Sequence, residues 1–210
     1  MFAGCGAIVA NSERDQALGT VGIGLVFGLV VLAMIYATGH LSGAHLNPAV
    51  TIAFTATRHF PLRDALAYVP AQLAGAVAAA VVLRSTWDGT PADLGATVPT
   101  VGAGAGLTYE LLLTAVLMFV IVSVATDTRA VGAAAAIAVG ATVGLDALFG
   151  GPVTGGSMNP ARSFGPALVA DQWHDFWIYI VGPGAGARLG ALTYQALRGP
   201  AGADPDPNDG

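Results

Sequence analysis

An all-α membrane protein folded as an inverted repeat is what this 210-residue chain predicts, and three observations carry that reading. Apolar residues make up 54% of the sequence and charged residues 10%, with a mean hydropathy of +0.67, whereas a soluble domain carries about 25% charge. Apolar stretches at 19–38, 65–84, 104–126, 131–149 and 176–197 each come near the ~20 residues that a spanning helix requires. So many cannot all be hidden in a soluble core of this size. The tripeptide Asn-Pro-Ala occurs twice, at Asn47-Pro48-Ala49 and Asn159-Pro160-Ala161, each after a Gly/Ser loop and before an apolar run too short to cross. Interrupted, half-length segments at matching places in two halves point to a site at the membrane midplane.

The elements follow in order. Residues 1–10 are apolar but as a helix cover only about 15 Å. In the second half, Met118-Phe119 lies 41 positions before Asn159, much as Met1-Phe2 lies 46 before Asn47. The helix carrying Met118 begins well upstream and includes Glu110, so the first helix is expected to lack its initial ten or so residues. The start has no basic segment of the kind that opens a cleavable signal. The span 19–38 carries Gly24-xxx-Gly28, and 176–197 carries Gly186-xxx-Gly190; small residues at this spacing let spanning helices pack closely. Asn is a favoured helix N-cap and Pro a favoured first helical residue, so each Asn-Pro-Ala starts a helix. Each such helix is about 15 Å long, half of a ~30 Å hydrocarbon core. One domain is expected over 1–198, with repeat 1 at about 1–95 and repeat 2 at about 105–198. The acidic, Pro-rich tail 199–210 is expected to be disordered.

Three full spans lie between the two half-helices. That odd number makes them enter from opposite faces, with their N-termini meeting near the centre. Arg58, Arg63, Arg129 and Arg198 fall on one side, and Arg14, Arg84 and Arg162 on the other. The bias puts the first half-helix and the C-terminus in the cytoplasm. Physical chemistry then suggests a function. An N-cap Asn spends its side-chain carbonyl on the helix and keeps its NH₂ for donation. Asn47 and Asn159, face to face, would donate to the oxygen of a passing water. Two half-helix N-termini, each equivalent to roughly half a positive charge, oppose cations. Carbonyls of Gly43, Ala44, His45, Gly155, Gly156 and Ser157 would offer acceptors along the path. Arg162, a charge at membrane depth, is costly unless it faces water or a partner.

The segments Ser42-Gly43-Ala44-His45-Leu46-Asn47-Pro48-Ala49-Val50-Thr51 and Gly156-Ser157-Met158-Asn159-Pro160-Ala161-Arg162-Ser163 resemble the paired signatures of the aquaporin (major intrinsic protein) family. The likeness covers essentially the whole chain, including Val181-Gly182-Pro183. It implies a right-handed bundle of six transmembrane helices, here with an incomplete first one, plus two re-entrant half-helices. It also implies one pore per subunit and a homotetramer in the plasma membrane. By the same resemblance Asn47, Pro48, Ala49, Asn159, Pro160 and Ala161 form a central constriction. Phe27, Ala147, Gly156 and Arg162 form an outer one. Water-selective members usually place His where Ala147 stands, which implies a wider filter, unless Phe149 or a residue near Trp87 fills the gap. Ser163, Ala167 and Phe176-Trp177 instead match the water-channel pattern.

Other residues have plainer readings. Glu110 is expected to face inward and accept backbone N–H groups of a re-entrant loop. His45 is expected to fix its loop rather than gate the pore. Asp146 either reaches the outer vestibule or bonds between helices, and Arg188 either sits at an interface or snorkels. The implied function is a passive channel for water and small neutral solutes (glycerol, urea, ammonia) that excludes protons and ions. Alternatives are a glycerol or small-solute facilitator with little role in water transport, a secondary transporter, and a non-conducting structural membrane protein. No nucleophile–base pair, metal cluster or basic patch suggests an enzyme, a cofactor, a metal or a nucleic-acid partner.

Overall fold

The computed structural model describes residues 1–126 and 134–198. Arg129 and the tail 199–210 lie outside the described residues. The described chain forms α1 (Phe2–Glu13), α2 (Gly19–Ser42), α3 (Pro48–Ala56), α4 (Leu62–Thr86), α5 (Ala103–Thr126), α6 (Ala135–Thr154), α7 (Pro160–Ala170) and α8 (Ile178–Arg198), with a short turn at Pro91–Gly95. By length and composition α2, α4, α5 and α6 can each cross a membrane. The 21 residues of α8 reach about 31 Å, also enough to cross, although Arg188 lies ten residues from either end and is exposed. At 12 residues, α1 covers about 18 Å.

The half-helices α3 and α7 start as the sequence reading requires. Asn47 and Asn159 are in extended backbone, with Pro48 and Pro160 as first helical residues. Before each lies a loop with the same backbone trace. Gly43 and Gly155 close α2 and α6 in left-handed conformation (φ 77 and 85). Ala44 and Gly156 follow at φ 44 and 53, and Leu46 and Met158 at φ 53 and 54. Left-handed backbone costs an L-residue roughly 1–2 kcal/mol, so three non-glycine residues hold a strained path in these loops. That path turns the chain back at mid-depth instead of letting α2 and α6 run on into α3 and α7.

Small residues set the helix spacing. The principal packed pairs are α5 with α8 and α2 with α6, followed by α7 on α4. A Cβ on Gly28 would stand 2.7 Å from the Gly140 carbonyl oxygen, and one on Gly24 would stand 2.8 Å from Leu148. On α8, Gly186 and Gly190 face the carbonyls of Leu111 and Ala115. The inverted repeat is thus closed by two glycine-lined seams, one of them at each of the motifs read from sequence. Between them α3 buries Ala49, Val50, Ala53 and Phe54 against Met118, Val122, Ala187 and Ala191. Large apolar side chains such as Leu29, Leu66, Leu112 and Leu192 are exposed on the outer surface, as lipid contact requires.

A Gly190→Val change drives a side chain into the Ala115 carbonyl. Overpacking of this kind costs about 1–3 kcal/mol. The expected outcome is a lower melting temperature and a smaller folded yield in detergent. Gly184 has nothing within 4 Å of its would-be Cβ, so Gly184→Ala is expected to leave both unchanged.

A candidate pore between two half-helices

The two Asn side chains do more than cap. The Asn47 Oδ1 accepts from the Ala49 N–H at 2.9 Å, while its Nδ2 donates to the Met158 carbonyl at 2.8 Å. The Asn159 Oδ1 accepts from Ala161 at 3.0 Å and Arg162 at 3.3 Å, and its Nδ2 donates to the Leu46 carbonyl at 2.9 Å. Each half-helix is therefore tied to the opposite loop by a reciprocal bond. The expectation of wholly free NH₂ groups is corrected here. An amide NH₂ has two protons, and each of these bonds uses one of them.

The second loop hangs on Glu110, which is fully buried. Its Oε1 accepts from Thr154 Oγ1 at 2.7 Å and the Ser157 N–H at 2.9 Å; its Oε2 accepts from the Met158 N–H at 2.7 Å. The Tyr179 hydroxyl donates to the Thr154 carbonyl at 2.6 Å. The first loop is held differently. His45 Nδ1 lies 3.1 Å from Thr51 Oγ1, to which Gln72 Nε2 donates at 3.0 Å. The His45 ring packs against Phe54, Phe60 and Tyr68 at centroid distances of 5.0, 4.6 and 5.2 Å. That cage fixes the imidazole in the role expected of it.

A cavity of about 560 Å³ runs past these loops. Gly43, Ala44, His45, Asn47, Gly156, Ser157, Asn159, Ala161 and Arg162 contribute to its wall, as does Phe27. Gly155, Ala147, Pro48, Pro160 and Ala49 do not. Gly155 is pressed against Thr97, whose Cγ2 lies 2.9 Å from its would-be Cβ. Ala147 sits behind Gly156, its Cα 3.4 Å from the place a Gly156 Cβ would take. Ala49 faces the core, and the prolines serve only as first helical residues.

Arg162 is 2% exposed. Its Nη1 donates to the Gly95 carbonyl at 2.5 Å and lies 3.7 Å from Cys5 Sγ. The guanidinium carbon stands 5.1 Å from the Phe27 ring centroid, a cation–π contact, and the Nε has no partner among the described residues. The sequence reading did not find Gly95, Thr97, Tyr179 or Gln72. Each acts across a tertiary contact, and no local pattern marks them. Asp146 resolves neither way: it is buried, is absent from the cavity wall, and its Oδ2 has no partner among the described residues.

Five helices long enough to span, a shorter first helix, two half-helices tied to each other's loops and a cavity lined by Asn47, Asn159 and Arg162 define a membrane channel. The model of the family described as Major intrinsic protein matches residues 1–194, and the chain belongs to that family. Among similar proteins, Aquaporin NIP1-1 of Zea mays is 48% identical over 198 residues, covering 94% of this chain and 70% of its own. Aquaporin NIP1-4 of Oryza sativa subsp. japonica is 51% identical over 198 residues, with 94% and 72% covered. Nodulin-26 of Glycine max is 47% identical over the same length, with 94% and 73% covered. The X-ray structure of the aquaglyceroporin from Plasmodium falciparum superposes with a TM-score of 0.83 at 25% identity, covering 92% of this chain and 89% of that one. The protein is a multi-pass membrane channel for water and small neutral solutes, not an enzyme.

Removing the Glu110 carboxylate leaves the buried N–H groups of Ser157 and Met158 without an acceptor, while the Thr154 hydroxyl keeps only its longer bond to the Gly150 carbonyl. Each such group costs roughly 1–3 kcal/mol. Glu110→Ala is expected to abolish a folded product in detergent. Glu110→Gln, which keeps one acceptor oxygen but turns an NH₂ toward a donor, is expected to lower the melting temperature by less.

Proposed function

We propose that the chain is a channel with a wide outer constriction, passing glycerol, urea and ammonia as well as water and excluding protons and ions. The observation that carries the reading is the absence of a large side chain at two of the four outer positions, Ala147 and Gly156. Phe149 does not fill the gap, since it is 53% exposed on the outer surface. Trp87 is engaged with Arg14 at 5.7 Å. Phe27 and Arg162 then bound the opening on one side, and Gly156, which has no side chain, bounds the other.

Asn47 and Asn159 form the central constriction in this reading. Each keeps one amide proton for a water or solute oxygen, while the helix N-termini behind them supply positive potential. A water held by two donors there cannot pass a proton along an unbroken chain. The carbonyls of Gly43, Ala44, His45, Gly156 and Ser157 serve as acceptors on either side, and Glu110 supports the second loop. The plasma membrane, a cytoplasmic C-terminus, a homotetramer and a single channel domain over 1–198 complete the proposal.

Two experiments in proteoliposomes test it. Ala147→His places an imidazole toward the lumen opposite Arg162, and is expected to cut glycerol and urea flux much more than water flux. Rapid water flux with negligible glycerol and urea flux in the unaltered protein would sink the wide-filter reading. In the second, Asn47→Asp and Asn159→Asp each replace a donor with an acceptor facing the opposite loop's carbonyl. Lower water flux or a new cation leak is expected, and unchanged fluxes in both variants count against the central constriction.

A further inference from the structure

Resting on the outer constriction just proposed, we infer that Thr97 is a positioning residue for it, acting through a one-way chain of hydroxyls that ends on Asn159. Thr97 lies in the connection after the Pro91–Gly95 turn and is buried, as are Ser157 and Ser163. Its Oγ1 donates to Ser163 Oγ at 2.7 Å. Ser163 Oγ and Ser157 Oγ are 2.6 Å apart, and Ser157 Oγ donates to the Asn159 carbonyl at 2.9 Å. Each hydroxyl has one proton. The Asn159 carbonyl can only accept, so Ser157 spends its proton there. Ser163 must then donate to Ser157, and Thr97 to Ser163. Along these three bonds the protons then run one way, with Thr97 at the head, and the Thr97 hydroxyl also meets the Tyr179 side chain. Bonds aligned in this way strengthen one another in a buried setting.

Two further contacts tie Thr97 to the constriction. Its methyl group presses on Gly155, at the root of the loop that carries Gly156. Two residues earlier, the Gly95 carbonyl is the one oxygen that accepts from the Arg162 guanidinium among the described residues. The turn before it is strained, with Ala92, Asp93 and Leu94 at φ 48, 47 and 55. Such a conformation persists only where its surroundings hold it. Leu94, packed with Cys5 and Leu83, and the Gln172–Asp93 bond at 3.3 Å hold one end. Thr97 holds the other. Without its donor, Ser163 loses the partner that orients it, and the Gly95 carbonyl is freed to drift. Arg162, whose Nε has no partner to keep it in place, then re-aims into the opening.

Thr97→Val keeps the shape and removes the proton, whereas Thr97→Ser keeps the proton and removes the methyl. In proteoliposomes of matched channel content, Thr97→Val is expected to lower water permeability about five-fold, the scale of one net hydrogen bond, and to shift the glycerol-to-water ratio. Thr97→Ser is expected to behave as the unaltered protein. Ser163→Ala breaks the same chain by another route, so the double variant Thr97→Val/Ser163→Ala is expected to be no worse than either single one; this arm decides the matter if Thr97→Val alone folds poorly. Unchanged water permeability and solute ratio in Thr97→Val would overturn the inference. So would a Thr97→Ser variant as impaired as Thr97→Val, or additive losses in the double variant. An unaltered protein with no flux above empty vesicles overturns the channel reading and this inference together, whereas a conducting protein indifferent to Thr97 overturns this inference alone.

Discussion

Two amide side chains cross the middle of the bundle, each capping its own half-helix and donating to the loop of the other, and the remaining architecture serves that exchange. Asn47 reaches the Met158 carbonyl and Asn159 the Leu46 carbonyl. A re-entrant loop at membrane depth is tolerated only where its polar backbone finds partners within the protein or lines a cavity. The exchange supplies such partners at the tightest point. It also explains the left-handed backbone at Leu46 and Met158. Only a sharply reversed chain presents those carbonyls to the facing Asn, and the crossed bonds hold the strain in place.

The two halves meet this constraint by different chemistry. In the second, one carboxylate collects the N–H groups of Ser157 and Met158 together with the Thr154 hydroxyl. In the first, a ring cage around His45 and the Gln72–Thr51–His45 bonds do the holding. The N–H groups of His45 and Leu46, which match those bound by Glu110, have no acceptor among the described residues.

The outer constriction depends on a different kind of support. Arg162 rises from α7, yet its position is set by Gly95 in a connecting turn and by Phe27 on α2. The guanidinium is thus held by three segments far apart in the chain. A buried charge needs such partners because desolvation is costly. The same dependence makes the connecting turn part of the site, although it contributes little to the cavity wall.

The sequence by itself determined the membrane class, the five long spans, the two half-helix starts and the glycine seams. Those features rest on local pattern: hydropathy over ~20 residues, N-cap chemistry and small residues four apart. It also pointed Glu110 inward, because a carboxylate in a spanning segment must find donors. Tertiary structure alone decided where the Asn amides spend their protons, that Ala147 stands behind Gly156, and that Gly95 and Thr97 belong to the site. Nothing among the described residues explains the burial of the Asp146 Oδ2 without a partner. The reason for the division is range. A cap or a seam is fixed within one turn of helix, whereas the bonds from Asn47 to Met158 and from Arg162 to Gly95 join residues 111 and 67 positions apart, and only the packed bundle brings such residues together.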